Sequence, residues 1–331
     1  MRSIIHFMEL PKEILELTEK LKKAGHQAFL VGGCVRDFLL NQKPKDWDIT
    51  TSARPEEIQK LFPDSVYENQ FGTVGVKINM GTSDVPEIEK NIRTSDVQNI
   101  EVVEITTFRL EGKYTDKRHP DEIKFAKTIE EDLARRDFTV NAIALKIENL
   151  KLKIELIDPF GGQKDLKNKI IRTVGNPEER FNEDALRLMR AVRFAVELGF
   201  NIEERTAEAI KKQAGLIGII AKERIRDELE KIIMSERAAE GIKKLAELNL
   251  LPYIIPELNE GIGVGQNKHH IYEVFEHSVR SLDYAAKNNY SLSIRLAALL
   301  HDIGKPRTKA GEGLDSTFYN HEIVGAKMTF Q

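Results

Sequence analysis

The sequence is short of three things, and each absence closes a class of function. There is one cysteine, Cys34, in 331 residues. An internal disulfide framework and a cysteine-rich zinc site are therefore excluded, and a reducing compartment, the cytoplasm, is expected. Cys34 stands where a helix starts, with no base nearby to make its thiol a nucleophile, so a small packed side chain is its expected role. No apolar run approaches the ~18 residues that a membrane span requires, and Met1 to Leu10 offers neither a sustained apolar segment nor a small-residue cleavage site. Neither membrane association nor secretion is expected. Nor is there an excess of positive charge: 50 Lys and Arg against 53 Asp and Glu leave a net charge of −3. Binding of nucleic acid by bulk electrostatics is excluded, and any RNA contact must be local.

What is present is a chain long enough for two or three domains, with an ordinary 41% of hydrophobic residues. The apolar run from Ala28 to Val31 is too short for a helix and reads as a buried strand that stops at Gly32 and Gly33. Val35, Phe38 and Leu39 then recur at helical spacing. Backbone N–H groups at such a junction, with no side chains in the way, can approach a phosphate, and Arg36 would add a positive charge beside them. A purely structural corner is the competing reading. After a turn at Lys43-Pro44-Lys45, the stretch Asp46-Trp47-Asp48-Ile49-Thr50 alternates with the period of a strand. That spacing predicts Asp46 and Asp48 on one face, where the two carboxylates repel unless a cation lies between them. Oxygen ligands of this kind suit Mg²⁺. Solvated aspartates on an edge strand are the alternative.

The run VGGCVRDFLL followed by KDWDITT resembles the nucleotidyltransferase signature of the class II tRNA nucleotidyltransferase and poly(A) polymerase family, the CCA-adding and A-adding enzymes of bacteria. Further along, Thr73 to Asn79 and Ile100 to Phe108 read as strands, and Met80 to Asn99 between them as a mobile hairpin insert. Val102, Glu104 and Thr106 share a face of the second strand, where Glu104 is either solvent-facing or a partner of the aspartate pair. The resemblance makes Glu104, in VEITTFR, the family's third carboxylate. Arg109 to Phe125 carries Gly112, Asp116, Arg118, His119 and Pro120 and reads as a charged loop without regular structure. In DLARRDFTVNAIAL, Asp132 to Leu145, apolar residues mix with Arg135, Arg136, Asp137 and Asn141, a composition suited to a pocket wall or to structural salt bridges. Ile154 to Leu166 reads as a last strand, a turn and an exit; from about Asn168 the pattern is helical.

The stretch FNEDALRLMRAVRFAVELGF is expected to be one helix, with Leu188, Val192, Ala195 and Val196 on its packed side. Glu183, Arg187 and Arg190 fall on the opposite side, with Asp184 and Arg193 on the flanks. Arginines 187 and 190 meet no acid one turn later and Arg193 meets only Glu197, so the row of three points to an anionic ligand. Cytosine and adenine each present an exocyclic amine beside a ring-nitrogen acceptor, so a carboxylate at Asp184 and a guanidinium at Arg187 can accept C and A and reject U and G. In the resembled family the matching EDxxR residues act as this template. Glu223 to Ile233 resembles the family's neck. His277 and His301-Asp302 resemble an HD-domain metal motif, with helix-packed histidines as the alternative; Asp315 is too near to be its closing aspartate, and the pattern is expected to run on past Gln331.

Together these readings predict an α+β chain. A nucleotidyltransferase head over residues 1–167 is followed by a helical neck over 168–255 that reads the base and binds RNA, and a partial HD-like body over 256–331. The resemblance implies a template-independent RNA nucleotidyltransferase that adds C and/or A from CTP and ATP to the 3′ end of tRNA. Mg²⁺ would be held by Asp46 and Asp48, with Glu104 as the third catalytic carboxylate. Gly33, Arg36, Arg136, Asp184, Arg187, Arg190 and Arg193 would bind the nucleotide, and Glu183, Asp184 and Arg187 would read its base. CCA addition, A addition and poly(A) synthesis share these motifs. A metal-dependent phosphohydrolase using His277, His301 and Asp302 is the rival from another class.

Overall fold

The computed structural model of the chain describes residues 10–69, 72–79, 100–111, 123–148, 153–268 and 270–330. Two compact units part between Asn168 and Lys169. The expected hairpin insert at Met80–Asn99 lies outside the described residues. Among those described, no helix is long and apolar enough to cross a membrane.

The first unit is built on a seven-stranded sheet in the order β3-β4-β5-β2-β1-β8-β9. Its strands are β1 (Ala28–Val31), β2 (Asp48–Thr51), β3 (Val66–Asn69), β4 (Thr73–Asn79), β5 (Ile100–Thr107), β8 (Ala144–Glu148) and β9 (Lys153–Ile157). Every residue of β1 is buried, as the continuous apolar run requires of a strand covered on both faces. Helices α1 (Lys12–Lys23), α2 (Gly33–Leu39), α3 (Pro55–Leu61), α4 (Ile129–Ala134) and α5 (Gly162–Asn168) complete the unit. α4 is closed by a capping box in which Thr128 and Glu131 exchange backbone and side-chain bonds. Its Ile129 and Leu133 pack with Phe29, Val31, Phe108 and Ala144 in one core cluster, where each fully buried large apolar side chain contributes about 1.5–3 kcal/mol. The β2–β5 pair is parallel and its register sets Asp48 opposite Glu104, while Gly75 of β4 flanks Glu104 on the other side.

Two expectations are corrected here. The strand predicted from Asp46 begins at Asp48; the turn started by Pro44 continues as a bend through Asp46, which is exposed. The period-2 argument therefore does not govern Asp46. The predicted irregular loop from Arg109 to Phe125 has paired ends, β6 (Arg109–Glu111) and β7 (Ile123–Phe125), joined antiparallel. Its Gly112, Asp116, Arg118, His119 and Pro120 lie outside the described residues.

Among its described residues the second unit is helical apart from a two-residue parallel ladder between β10 (Ile170–Ile171) and β11 (Asn201–Ile202) and a single antiparallel bridge from Ala310 to Thr317. Its longer helices are α6 (Pro177–Glu183), α7 (Arg187–Leu198), α8 (Glu204–Gln213), α9 (Lys222–Met234) and α10 (Ala238–Glu247). Short α11 (Leu251–Ile254) and α12 (Pro256–Asn259) precede α13 (Val274–Lys287), α14 (Leu292–Leu300), α15 (Lys305–Thr308) and α16 (His321–Phe330). The single helix expected from Phe181 to Phe200 is broken at Asp184, whose backbone is extended at φ −139° and ψ 106°. Its carboxylate accepts the Leu186 N–H at 3.0 Å. Aspartate competes for backbone donors in just this way, which is why it favours helix starts over helix interiors. α7 then runs to Gly199, where a φ of 66° closes it in the left-handed conformation.

Candidate functional site

In the first unit the turn after β1 is the floor of the site. Gly32 has a φ of 76°, and a Cβ there would lie 2.9 Å from Arg136 Nη1 and 3.3 Å from Asp48 Oδ2, so only glycine admits both groups. At Gly33 the nearest atom would be Arg36 Nη2 at 3.6 Å, ordinary contact. Arg36 is held by Asp37 (Nε to Oδ1, 2.8 Å) and by Asn141 (Nη1 to Oδ1, 2.9 Å). Arg136 is held by Asp132, Nη2 to Oδ2 at 3.5 Å, and its buried Nε has no hydrogen-bond partner among the described residues. Asp132 is fully buried and also receives Arg135 Nε (3.0 Å), Arg109 N–H (3.2 Å) and Thr50 Oγ1 (3.4 Å). Burial alone would raise its carboxyl; the Arg135 and Arg136 charges and these hydrogen bonds hold it below the usual range instead.

Asp48 shows the opposite balance. Burial raises its carboxyl, Arg136 opposes the rise, and the charge of Asp46 adds to it. Thus Gly32, Gly33, Arg36, Asp48 and Arg136 are brought together, Glu104 stands at the facing register position, and Asp46 acts through its charge from the exposed bend. Asp46, Asp48 and Glu104 do not bring three donor atoms within 4.8 Å of one another. Cys34 is buried beneath the same turn with its thiol on the Val31 carbonyl at 3.1 Å. Burial first, and Asp48 second, push that thiol up to about 12, which leaves it a packed, unreactive side chain.

In the second unit the break between α6 and α7 gathers the predicted base-reading residues. Arg224, from α9, grips Asp184 through two bonds, Nη2 to Oδ2 at 2.8 Å and Nη1 to Oδ1 at 3.3 Å. Arg187 is buried, and its Nη1 donates to Glu183 Oε2 (2.5 Å) and to the Arg180 carbonyl (3.1 Å). The arginine row is not left without acids, as the sequence spacing implied: Glu228 of α9, 4% exposed, lies 3.0 Å from Arg193 and 3.9 Å from Arg190. Spacing along one helix shows only partners on that helix, and this partner comes from another.

Farther along, His277 of α13 and the His301-Asp302 pair after α14 converge. The two Nε2 atoms are 3.2 Å apart, and Asp302 Oδ2 is 3.5 Å from His277 and 3.2 Å from His301. Among the described residues this is the group that brings three such donor atoms within 4.8 Å. Buried Lys305 shares the same oxygen at 2.7 Å and also donates to Gln266 Oε1 at 2.7 Å. His321 Nε2 faces Asp302 Oδ1 at 3.6 Å. Burial would raise the Asp302 carboxyl, but the His301 and Lys305 hydrogen bonds hold it far below the usual range. Burial also lowers His277, whereas the Asp302 hydrogen bond raises His301.

Residues 28–172 match the Poly A polymerase head domain, 199–262 the probable RNA and SrmB-binding site of polymerase A, and 274–331 the HD domain. The chain belongs to the tRNA nucleotidyltransferase and poly(A) polymerase family. Within that family it is 45% identical over 247 residues to the CCA-adding enzyme of Anoxybacillus flavithermus, an alignment covering 75% of this chain and 56% of the relative. A crystal structure of the Bacillus stearothermophilus CCA-adding enzyme in complex with CTP superposes with a TM-score of 0.62 at 36% identity, covering 84% of this chain and 58% of that one. A tRNA nucleotidyltransferase complexed with a primer tRNA and an incoming ATP analog gives 0.61 at 26% identity, over 86% and 74% of the two chains. The chain thus spans about half the length of the curated relatives it matches, 56% and 55% for the first two.

Four residues of these clusters escaped the sequence reading. Asp132 passed as one more charge of an acidic first turn, Glu130, Glu131 and Asp132, though it is the one that is buried. Arg224 and Glu228 are four apart and so share a face of α9, a signal that was available. Lys305 follows Asp302 by three residues, a spacing that sets it on the same side of a helical turn.

Proposed function

We propose that the chain is the nucleotidyl-transferring part of a tRNA nucleotidyltransferase that adds C and/or A from CTP and ATP to the tRNA 3′ end. The observation that carries this is the Gly32 turn, which sets Asp48 and Arg136 against one bare backbone position, with Glu104 in register across β2 and β5. A divalent cation fits the residues: the donors are all oxygen, and a raised Asp48 carboxyl beside the Asp46 charge is relieved by a cation. Asp46 and Asp48, with Glu104 nearby, would hold it. Mg²⁺ bound there would neutralise the triphosphate and lower the pKa of the primer 3′-hydroxyl. Arg36, braced by Asp37 and Asn141, and Arg136, braced by Asp132, donate to phosphate oxygens and stabilise their developing charge. Gly33 leaves room for a phosphate at the backbone.

Asp184 accepts from the exocyclic amine of C or A while Arg187 donates to the adjacent ring nitrogen. Arg224 and Glu183 fix the two side chains for this role, and Arg190 and Arg193, set by Glu228, add positive charge for the nucleotide. The division into a head at 1–167, a neck at 168–255 and a body at 256–331 follows the same reading, and a cytoplasmic setting goes with the tRNA substrate. The deciding experiment incubates the chain with tRNA lacking its 3′ end and with CTP and ATP, singly and together, then sequences the 3′ ends. Addition limited to C and A residues at the tRNA end is expected. Absence of incorporation overturns the reading, and long A tails shift it to a poly(A) polymerase.

A second reading concerns the His277, His301 and Asp302 cluster alone. Three donors within 4.8 Å, with His301 Nδ1 on the Ala298 carbonyl at 3.0 Å and its Nε2 turned to the cluster, suit a divalent metal of a phosphohydrolase site. Calorimetric titration with Mn²⁺ tests it: binding lost in His301→Ala supports the metal centre, and binding unchanged in that variant removes it.

A further inference from the structure

Arg295, on α14, is 3% exposed. Among the described residues its guanidinium donates four hydrogen bonds, every one to a main-chain carbonyl: Nη1 to Ile233 and to Ser235 at 2.9 Å each, Nε to Tyr290 at 2.9 Å and Nη2 to Ala286 at 3.3 Å. Ile233 lies in the last turn of α9 and Ser235 is its C-cap, while Ala286 lies in the last turn of α13. The last carbonyls of a helix have no partner within it and carry the negative end of its dipole, so one buried guanidinium stands in for the missing donors of two helices at once. A planar fork of N–H groups can do this; an ammonium group, with its donors on one atom, cannot span the same carbonyls.

The helix end that Arg295 holds belongs to the helix that braces the base reader. From α9, Arg224 grips Asp184, and Glu228 meets Arg193 and Arg190. Sideways, α9 has little freedom: a Cβ on Gly241 of α10 would overlap Ile232 of α9 and touch Val196 of α7, so these helices meet without room for a methyl group. What is left is a slide along its own axis or a turn about it, and the bonds to Ile233 and Ser235 oppose both. We propose that Arg295 is a positioning residue for base discrimination: by fixing the C-terminal end of α9, it holds Arg224 where it presents Asp184 to the base. The inference rests on the reading of Asp184 and Arg187 as the base reader. Arg295 is buried and acts through α9, not on the nucleotide.

The test compares kcat/KM for CTP and for UTP, incorporated into tRNA lacking its 3′ end, in the unaltered chain, Arg295→Lys, Arg224→Met and the double variant. The ratio of two kcat/KM values on one preparation is independent of the fraction of active protein, so loss of folded protein alone leaves it unchanged. Arg295→Lys is expected to lower the preference for CTP over UTP about fivefold, and Arg224→Met about tenfold, because a displaced reading group discriminates less. Since Arg295 acts through Arg224, the double variant is expected to match Arg224→Met. Arg295→Gln, which keeps an amide donor for the Ile233 and Ser235 carbonyls, takes the place of the lysine variant if that one does not fold. An unchanged preference in the Arg295 variant, with Arg224→Met relaxed, overturns the inference and leaves the base reader standing; an unchanged preference in both overturns the two together. Effects that multiply in the double variant overturn it as well, since Arg295 then acts by another route, and so does failure of both Arg295 variants to fold, which makes the residue part of the core alone.

Discussion

Asp48 and Asp132 belong to one unit, joined through Thr50, yet burial has opposite outcomes for them. Asp132 gathers two arginines and a backbone N–H, and its depressed carboxyl adds stability that is present above the unfolded value of 3.8 and fades as pH falls through the folded value. Removing it takes the buried carboxylate away from Arg135 and Arg136, so Asp132→Ala is expected to cost about 3–5 kcal/mol, measured by urea unfolding at neutral pH. Asp48 has a raised carboxyl, so the folded state holds the proton more tightly than the unfolded chain. Stability then falls as pH climbs from the unfolded value through the folded one, and at neutral pH the full penalty applies. Asp48→Asn is accordingly expected to raise the melting temperature of the metal-free protein by about 3 °C. The same change is expected to abolish nucleotide incorporation and the stabilisation by added Mg²⁺. A melting temperature lowered by Asp48→Asn would show that the carboxylate is structural. The contrast explains why one aspartate was legible and the other was not: Asp48 announces itself by alternation in a short strand, while the worth of Asp132 lies in partners 23 and 82 positions away.

Two elements carry the proposed chemistry, the turn after β1 and the break between α6 and α7, and they differ in how well the sequence exposes them. The twin glycines after an apolar run mark the turn, but only the structure separates their duties. Gly32 needs its positive φ and the space beside Arg136 and Asp48; Gly33 needs neither. Gly32→Ala is expected to lower both stability and incorporation, the latter by more than about tenfold because Arg136 must move against the reacting groups. Gly33→Ala is expected to fold normally and to raise the KM for the nucleotide. Equal thermal melts for the two variants would refute the division. The break at Asp184 was invisible to periodicity, because Phe181, Leu188 and Val192 keep a helical rhythm across it; what ends α6 is the Asp184 carboxylate bonding the Leu186 N–H. With Asp184 gripped by Arg224 and Arg187 by Glu183, the two side chains are preorganised, so Arg187→Ala is expected to narrow the preference for CTP and ATP over UTP. The loss should be one to two decades if about 1–3 kcal/mol of discrimination goes. A uniform fall for every nucleotide would assign Arg187 a structural role, which its burial makes the serious competitor.

At the scale of the whole chain, the proposed chemistry is divided among clusters that share no residue. Asp46, Asp48 and Glu104 belong to the unit before Lys169; His277, His301 and Asp302 belong to the unit after it. Each cluster also carries its own fixed cation, Arg136 beside Asp48 and Lys305 on Asp302, so neither depends on the other for charge balance. Charges this well paired within their own cluster leave little net charge through which one cluster can act on the other. The expected result is a double dissociation. His301→Ala should leave C and A incorporation into tRNA within about twofold while removing Mn²⁺ binding at its cluster, because uncoupled sites act additively. Asp48→Asn should do the converse. Calorimetric titration and 3′-end sequencing on the same two preparations decide the matter. A fall in incorporation beyond tenfold in His301→Ala, with the melting temperature unchanged, would mean that the second cluster takes part in nucleotide addition and that the chain works as one catalytic device.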